Sequence, residues 1–182
     1  MELSEISQNV TNDILRLIQQ SAGKVGRYRS FALEYTKPLY FDLKVNIKIT
    51  DTLFGARDLY FKNIPSEVLK FERFGHAIDG DSFGGDSEDG AEIEISVAVD
   101  PTQITSQKLK SRLLDVVRHE LEHIVQRGPN FSADHKVKIP RPITRESAKS
   151  DYRYFILSDE IPAQVRGLAE EAQHSGQTVK EC

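Results

Sequence analysis

The sequence predicts an α+β domain: a twisted, mainly antiparallel sheet, an amphipathic helix packed beneath it, and further helices at both ends of the chain. Two stretches of strict apolar–polar alternation, FDLKVNIKIT (41–50) and EIEISVAV (92–99), supply the sheet. An apolar stripe of helical period across 107–127 supplies the helix. At 182 residues the chain fits one domain, 1–182, large enough to close a core around a site.

The bulk numbers narrow the function. Hydrophobic residues at 38% with charged residues at 29% make a globular chain rather than a disordered one. A net charge of −4 argues against a nucleic-acid partner, which would need phosphates neutralised. The start MELSEISQNV lacks the basic and greasy pattern of a signal peptide, and no apolar run reaches membrane-spanning length. The expectation is a soluble, cytoplasmic protein with no membrane partner. Its lone cysteine, Cys182, leaves no internal disulfide and no thiolate metal site. Any metal must be held by histidines and carboxylates.

Taken in order, Ile6, Val10, Ile14, Leu17 and Ile18 predict an amphipathic helix over 3–21, stopped near Gly23. The two alternating strands follow, with shorter extended pieces expected around 30–35, 58–62 and 70–78. The acidic, glycine-rich DGDSFGGDSEDG (79–90) reads as a solvated hairpin loop. It is not an EF-hand, because Phe83 stands where an oxygen ligand is needed. After Asp100-Pro101, Thr105 or Ser106 can cap the helix at 107–127, and Gly128-Pro129 can end it. Residues 129–145 read as a proline-stiffened connection with excess positive charge. Helical pattern resumes near Ser150, with Pro162 expected to kink or split it. Residues 176–182 are expected to fray.

The helix at 107–127 contains a contradiction. Leu109, Leu113, Val116, Val117, Leu121 and Ile124 form its apolar stripe, and Arg112, Asp115, Arg118, Glu122 and Gln126 fall on the opposite, wet side. His119 and His123 lie at the stripe's edge, about 40° apart in projection. Glu120 points into the stripe itself, where an ionised carboxylate is costly without a positive partner. No lysine or arginine of this helix points the same way. A zinc ion resolves the conflict: histidines at i and i+4 can bring nitrogens to one ion at about 2.0–2.1 Å. The intervening glutamate then sits beside the open coordination position, able to take a proton from water.

His119-Glu120-Leu121-Glu122-His123 resembles the HExxH motif of zincin metallopeptidases. The resemblance implies a zincin-like fold, His119 and His123 as zinc ligands, and Glu120 as general base. It also implies that EIEISVAV is the substrate-side edge strand. The metzincin form, HExxHxxGxxH, is excluded because Gln126 and Pro129 occupy its glycine and histidine positions. YFILSDEIPAQVRGLAEEA resembles the second zinc helix of gluzincin-type peptidases, with Glu160 as third ligand and Ala163 as the small residue permitting close helix approach. The Glu160–Ala163–Arg166 spacing is also similar to small peptidases of tailed-phage genomes, which would place the protein in a host cytoplasm. His135 and Asp159 stand as alternatives for the third ligand, with His76 and His174 behind them. Tyr152, Arg153, Tyr154 and His135 are the nearest donors for an oxyanion, and Asp115 is a possible acceptor for an imidazole N–H.

The expected function is zinc-dependent hydrolysis of peptide bonds in a peptide or protein substrate, with one catalytic Zn2+. The alternative is a zinc-binding structural or virion-associated protein that keeps the ligands without turnover.

Overall fold

The computed structural model describes residues 3–23, 28–38, 42–60, 65–84, 90–126, 160–176 and 178. Within them lies a four-stranded mixed sheet of order β1-β2-β4-β3, formed by β1 (Arg29–Tyr35), β2 (Leu43–Thr50), β3 (His76–Gly84) and β4 (Ala91–Val99). Five α-helices accompany it: α1 (Leu3–Ser21), α2 (Leu53–Tyr60), α3 (Pro65–Phe74), α4 (Gln107–Gln126) and α5 (Glu160–Ser175). The α+β class and both alternating strands agree with the sequence reading. The sheet is mixed because β2 and β4 run parallel, while β1 with β2 and β3 with β4 run antiparallel.

Alternation decides which side of the sheet is wet. Leu43, Val45, Ile47 and Ile49 of β2 and Ile93, Ile95, Val97 and Val99 of β4 are all buried on one face. Ile47 pairs with Ile95 across the parallel ladder, so the two apolar rows lie side by side. On the other face Lys44 meets Glu92 at 3.8 Å, and Lys48 pairs with Glu94. Against the apolar face pack α1, through Ile6, Val10, Ile14 and Ile18, and α4, through its whole predicted stripe. Helix α1 ends where expected: Gly23 takes φ +70° and donates its N–H to Asp51 Oδ2 at 2.7 Å.

Three local expectations are overturned. Residues 58–60 and 70–74 are helical, not extended. Ala56 and Tyr60, then Val68 and Phe71, repeat at helical spacing and are buried with Ala77 and Ala98 on the opposite side of the sheet. Thr52 caps α2 through Gly55 N–H at 3.0 Å, and Gly75, at φ +74°, ends α3 with its N–H on Phe71 O. Residues 79–84, read as loop, belong to β3, because Ile78, Gly80 and Ser82 continue a period of two in register with Val97, Ile95 and Ile93. EIEISVAV is consequently an interior strand, and β3 is the edge on its side of the sheet.

Ser106 caps α4, its Oγ accepting Leu109 N–H at 3.3 Å. Pro162 neither kinks nor splits α5 in the described residues. It is the third residue of the helix, where a backbone N–H has no partner within the helix anyway. The expected stop at Gly128-Pro129 and the connection 129–145 lie outside the described residues. Among the described residues no helix is long and apolar enough to cross a membrane.

Candidate metal centre

His119 and His123 project from one side of α4 and bring their Nε2 atoms within 3.0 Å of each other. Their rings stand nearly perpendicular, at 85°, with centroids 4.6 Å apart. At the Zn–N distance of about 2.0–2.1 Å, two nitrogens so separated subtend about 94° at a common ion, within reach of a tetrahedral pair. His123 is buried and His119 half-buried.

Glu120 is buried between α4 and the edge strand. Gly80 of β3 lies directly against it: a methyl group at Gly80 would stand 2.9 Å from Glu120 Cγ and 2.7 Å from Val116 Cγ1. Burial pushes the Glu120 carboxyl up to about 7, helped by Asp81 and Asp79, while the Ser82 hydroxyl and His123 pull the other way. The contradiction seen in the sequence persists in the fold. The carboxylate faces its own apolar side, and the described residues bring no lysine or arginine to it as a partner.

Beside this group opens a cleft of about 470 Å³, lined by Ile78, Gly80, Val116, His119, Glu120 and Leu168 among others. One wall is the edge strand, one is α4 and one is α5. The cleft reaches His119 and the Glu120 carboxylate.

Helix α5 covers the side of α4 that the sequence left to solvent. Asp115 and Arg118, assigned to the wet side, are buried. A single-helix projection registers only the stripe facing the sheet; a second helix on the other flank is invisible to it. Asp115 pairs with Arg112, and Arg118 donates to Glu122 at 3.1 Å. Asp115 is therefore engaged with Arg112 and packed against Gly167 of α5. The Asp115 carboxyl is raised to about 6 by burial, against the pull of Arg112 and with the push of Glu171.

The two helices run antiparallel, and two points give their register. Gly167 abuts Asp115, where a methyl would meet the Asp115 backbone oxygen at 2.8 Å. At the other end Gln107 Nε2 donates to His174 O at 3.0 Å. With both helices rising about 1.5 Å per residue, Ala163 comes level with His119 and Glu160 with Glu122 and His123. Ala163 is fully buried, as the close approach requires.

The same register disposes of two alternatives. His174 lies at the start of α4, about 17 Å along the axis from His119. His76 precedes Gly80 by four strand residues, about 13 Å. Among the described residues no third histidine, cysteine, aspartate or glutamate completes a metal-holding group. Glu160 opens α5, its backbone level with Glu122 and His123. His135 and Asp159 lie outside the described residues, as do Tyr152, Arg153 and Tyr154.

The sequence reading passed over three residues that shape this site: Gly80, Ser82 and Gly167. The first two were absorbed into a supposed loop, although the alternation of small and acidic residues in I-D-G-D-S carries the strand signal. Gly167 leaves no periodic trace. Compared with protein-family models, with curated proteins and with solved structures, the chain matches none of them.

Proposed function

We propose that the chain is a zinc-dependent metallopeptidase of zincin type, with His119, His123 and Glu160 as ligands and Glu120 as general base. The observation that carries this reading is the convergence of two Nε2 atoms at 3.0 Å beside a buried glutamate that, among the described residues, has no lysine or arginine in an ion pair with it. Without a metal, the two Nε2 atoms at 3.0 Å share a ring-to-ring hydrogen bond; with one, the same convergence presents both nitrogens to a single ion. The donor set, two imidazoles and carboxylates without thiolates, suits zinc in a hydrolytic site.

Zinc, when bound, supplies a Lewis acid for the scissile carbonyl and brings the pKa of water near 7. The protein's own residues do the rest. Glu120 accepts the proton of the attacking water and returns it to the leaving amine. His119 and His123 fix the position of the centre against the cleft. Ile78, Val116 and Leu168 offer apolar surface for a side chain next to the cleaved bond.

Elemental analysis of protein purified without added metal, joined to a peptide-hydrolysis assay with and without chelator, tests the reading. One zinc per chain and chelator-sensitive cleavage support it. A metal-free protein with both rings intact would overturn it. Stoichiometric zinc without cleavage of any peptide would favour a structural or virion-associated role instead.

A further inference from the structure

We propose that Arg112 is a specificity-determining residue of the cleft, its guanidinium receiving a carboxylate of the bound peptide two helical turns from His119. The inference rests on the reading of the chain as a peptidase and deepens it by naming the substrate class: peptides with a carboxylate within about three residues of the cleaved bond.

Helix periodicity puts the two ends of the cleft in line. Arg112, Val116, His119 and His123 follow one another at spacings of four, three and four residues, so they form one row along α4. Arg112 and His119 are about 20° apart in projection and about 10.5 Å apart along the axis. Arg112, Val116 and His119 all line the cleft. A peptide whose scissile carbonyl sits beside His119 therefore passes over Val116 to reach Arg112. An extended chain rises about 3.3 Å per residue, so about three residues span the distance.

Arg112 is anchored for this task. Its Nη1 pairs with the carboxylate of Asp115, which is buried and pressed against Gly167 of α5. The Arg112 side chain is nonetheless 41% exposed, against 9% for that of Asp115. A guanidinium with one nitrogen engaged keeps further N–H donors in a planar fork, which suits a carboxylate. Among the described residues lining the cleft it is the only lysine or arginine. The acids there do not make the converse site, one for a basic side chain. Asp115 is engaged with Arg112, and Glu120 stands at the metal end. Asp79 alternates with Ile78 and Gly80, so it belongs to the other face of β3, where it lines a second recess with Tyr60 and Glu94.

The test compares zinc-loaded wild type with Arg112→Gln, Arg112→Lys and Arg112→Gln combined with Asp115→Asn. Two peptide series are used. One moves a single glutamate along an otherwise neutral, amidated sequence; the other is neutral with a free C-terminal carboxylate at varied distance from the cleaved bond. Wild type is expected to favour one carboxylate position over the neutral amidated peptide by about 10-fold in kcat/KM. The series that shows the preference tells whether the carboxylate is a side chain or a chain end. Arg112→Gln is expected to bring the ratio close to one, and Arg112→Lys to keep part of it. The double variant leaves no buried carboxylate unpaired, should give the same ratio, and serves where Arg112→Gln fails to fold. A loss shared equally by acidic and neutral peptides, a preference that survives without the guanidinium, or a wild type that favours neutral or basic peptides would overturn the proposal. A zinc-loaded wild type that cleaves no peptide would defeat the peptidase reading instead. Fluorescence anisotropy with the same peptides, labelled, then decides the role of Arg112: acidic peptide bound about 10-fold more weakly by the double variant supports it, and equal binding refutes it.

Discussion

Gly167 of α5 rests against Asp115 of α4 so closely that a single methyl group would lie 2.2 Å from the Asp115 carboxylate and 2.8 Å from its backbone oxygen. That crossing sets the register of the two helices, and through it the level along α4 at which the backbone of Glu160 lies. The carboxylate can move aside, but the backbone oxygen cannot. Gly167→Ala should therefore push the helices apart and lower stability by roughly 1–3 kcal/mol, as overpacking does. Chemical denaturation measures the loss, and zinc titration of the folded variant should show weaker binding. Unchanged stability would mean that α5 does not cross α4 at Gly167.

Replacing His119 or His123 with alanine should abolish stoichiometric zinc, measured by elemental analysis after purification without added metal. Glu120→Gln should keep zinc and lose about 100-fold to 10,000-fold in turnover, the range expected when a general base is removed. A Glu120→Gln protein that cleaves as fast as wild type would take Glu120 out of the mechanism.

Glu160→Ala should weaken zinc binding by more than the ~10–100-fold that outer-shell partners contribute. His135→Ala and Asp159→Ala should leave affinity close to wild type. Should zinc affinity collapse in one of those two and survive in Glu160→Ala, the third ligand is reassigned accordingly.

The buried Asp115 makes stability depend on pH with a definite sign. Its carboxyl is raised from 3.8 to about 6 in the folded protein, chiefly by burial, with Arg112 opposing. The folded state then binds the proton more tightly than the unfolded chain, so stability falls as pH rises from about 4 through about 6. Relative to Asp115→Asn, wild type should lose on the order of 2 kcal/mol across that window. Urea unfolding of both proteins at several pH values checks it; parallel profiles would mean that Asp115 ionises without penalty. Asp79, raised to about 6 by burial and by Glu67, should act with the same sign.

Legibility in the sequence followed how local the deciding forces were. The strands at 43–50 and 91–99, helix α1 and helix α4 were readable because each is one amphipathic element whose period is set by backbone geometry. The short pieces failed for the opposite reason. Five residues around 58–62 fit either period, and helix won there because Tyr60 buries its ring and bonds Ser96 O at 2.6 Å across the sheet. The segment 79–84 looked like a loop because acids and glycines are rare in strands. It is a strand because one face meets α4, with Gly80 leaving room for Val116 and Glu120.

The sequence by itself determined that two imidazoles and a carboxylate share the inner side of one helix, since 100° per residue allows no other arrangement. It also determined that the carboxylate would be uncomfortable there, a matter of one residue's direction and charge. Only the tertiary structure decided which strand borders the carboxylate, which helix covers Asp115 and Arg118, and at what height Glu160 stands. Those are contacts between elements far apart in the chain, made where shapes interlock at Gly80 and Gly167, and a glycine carries no mark of what will be pressed against it.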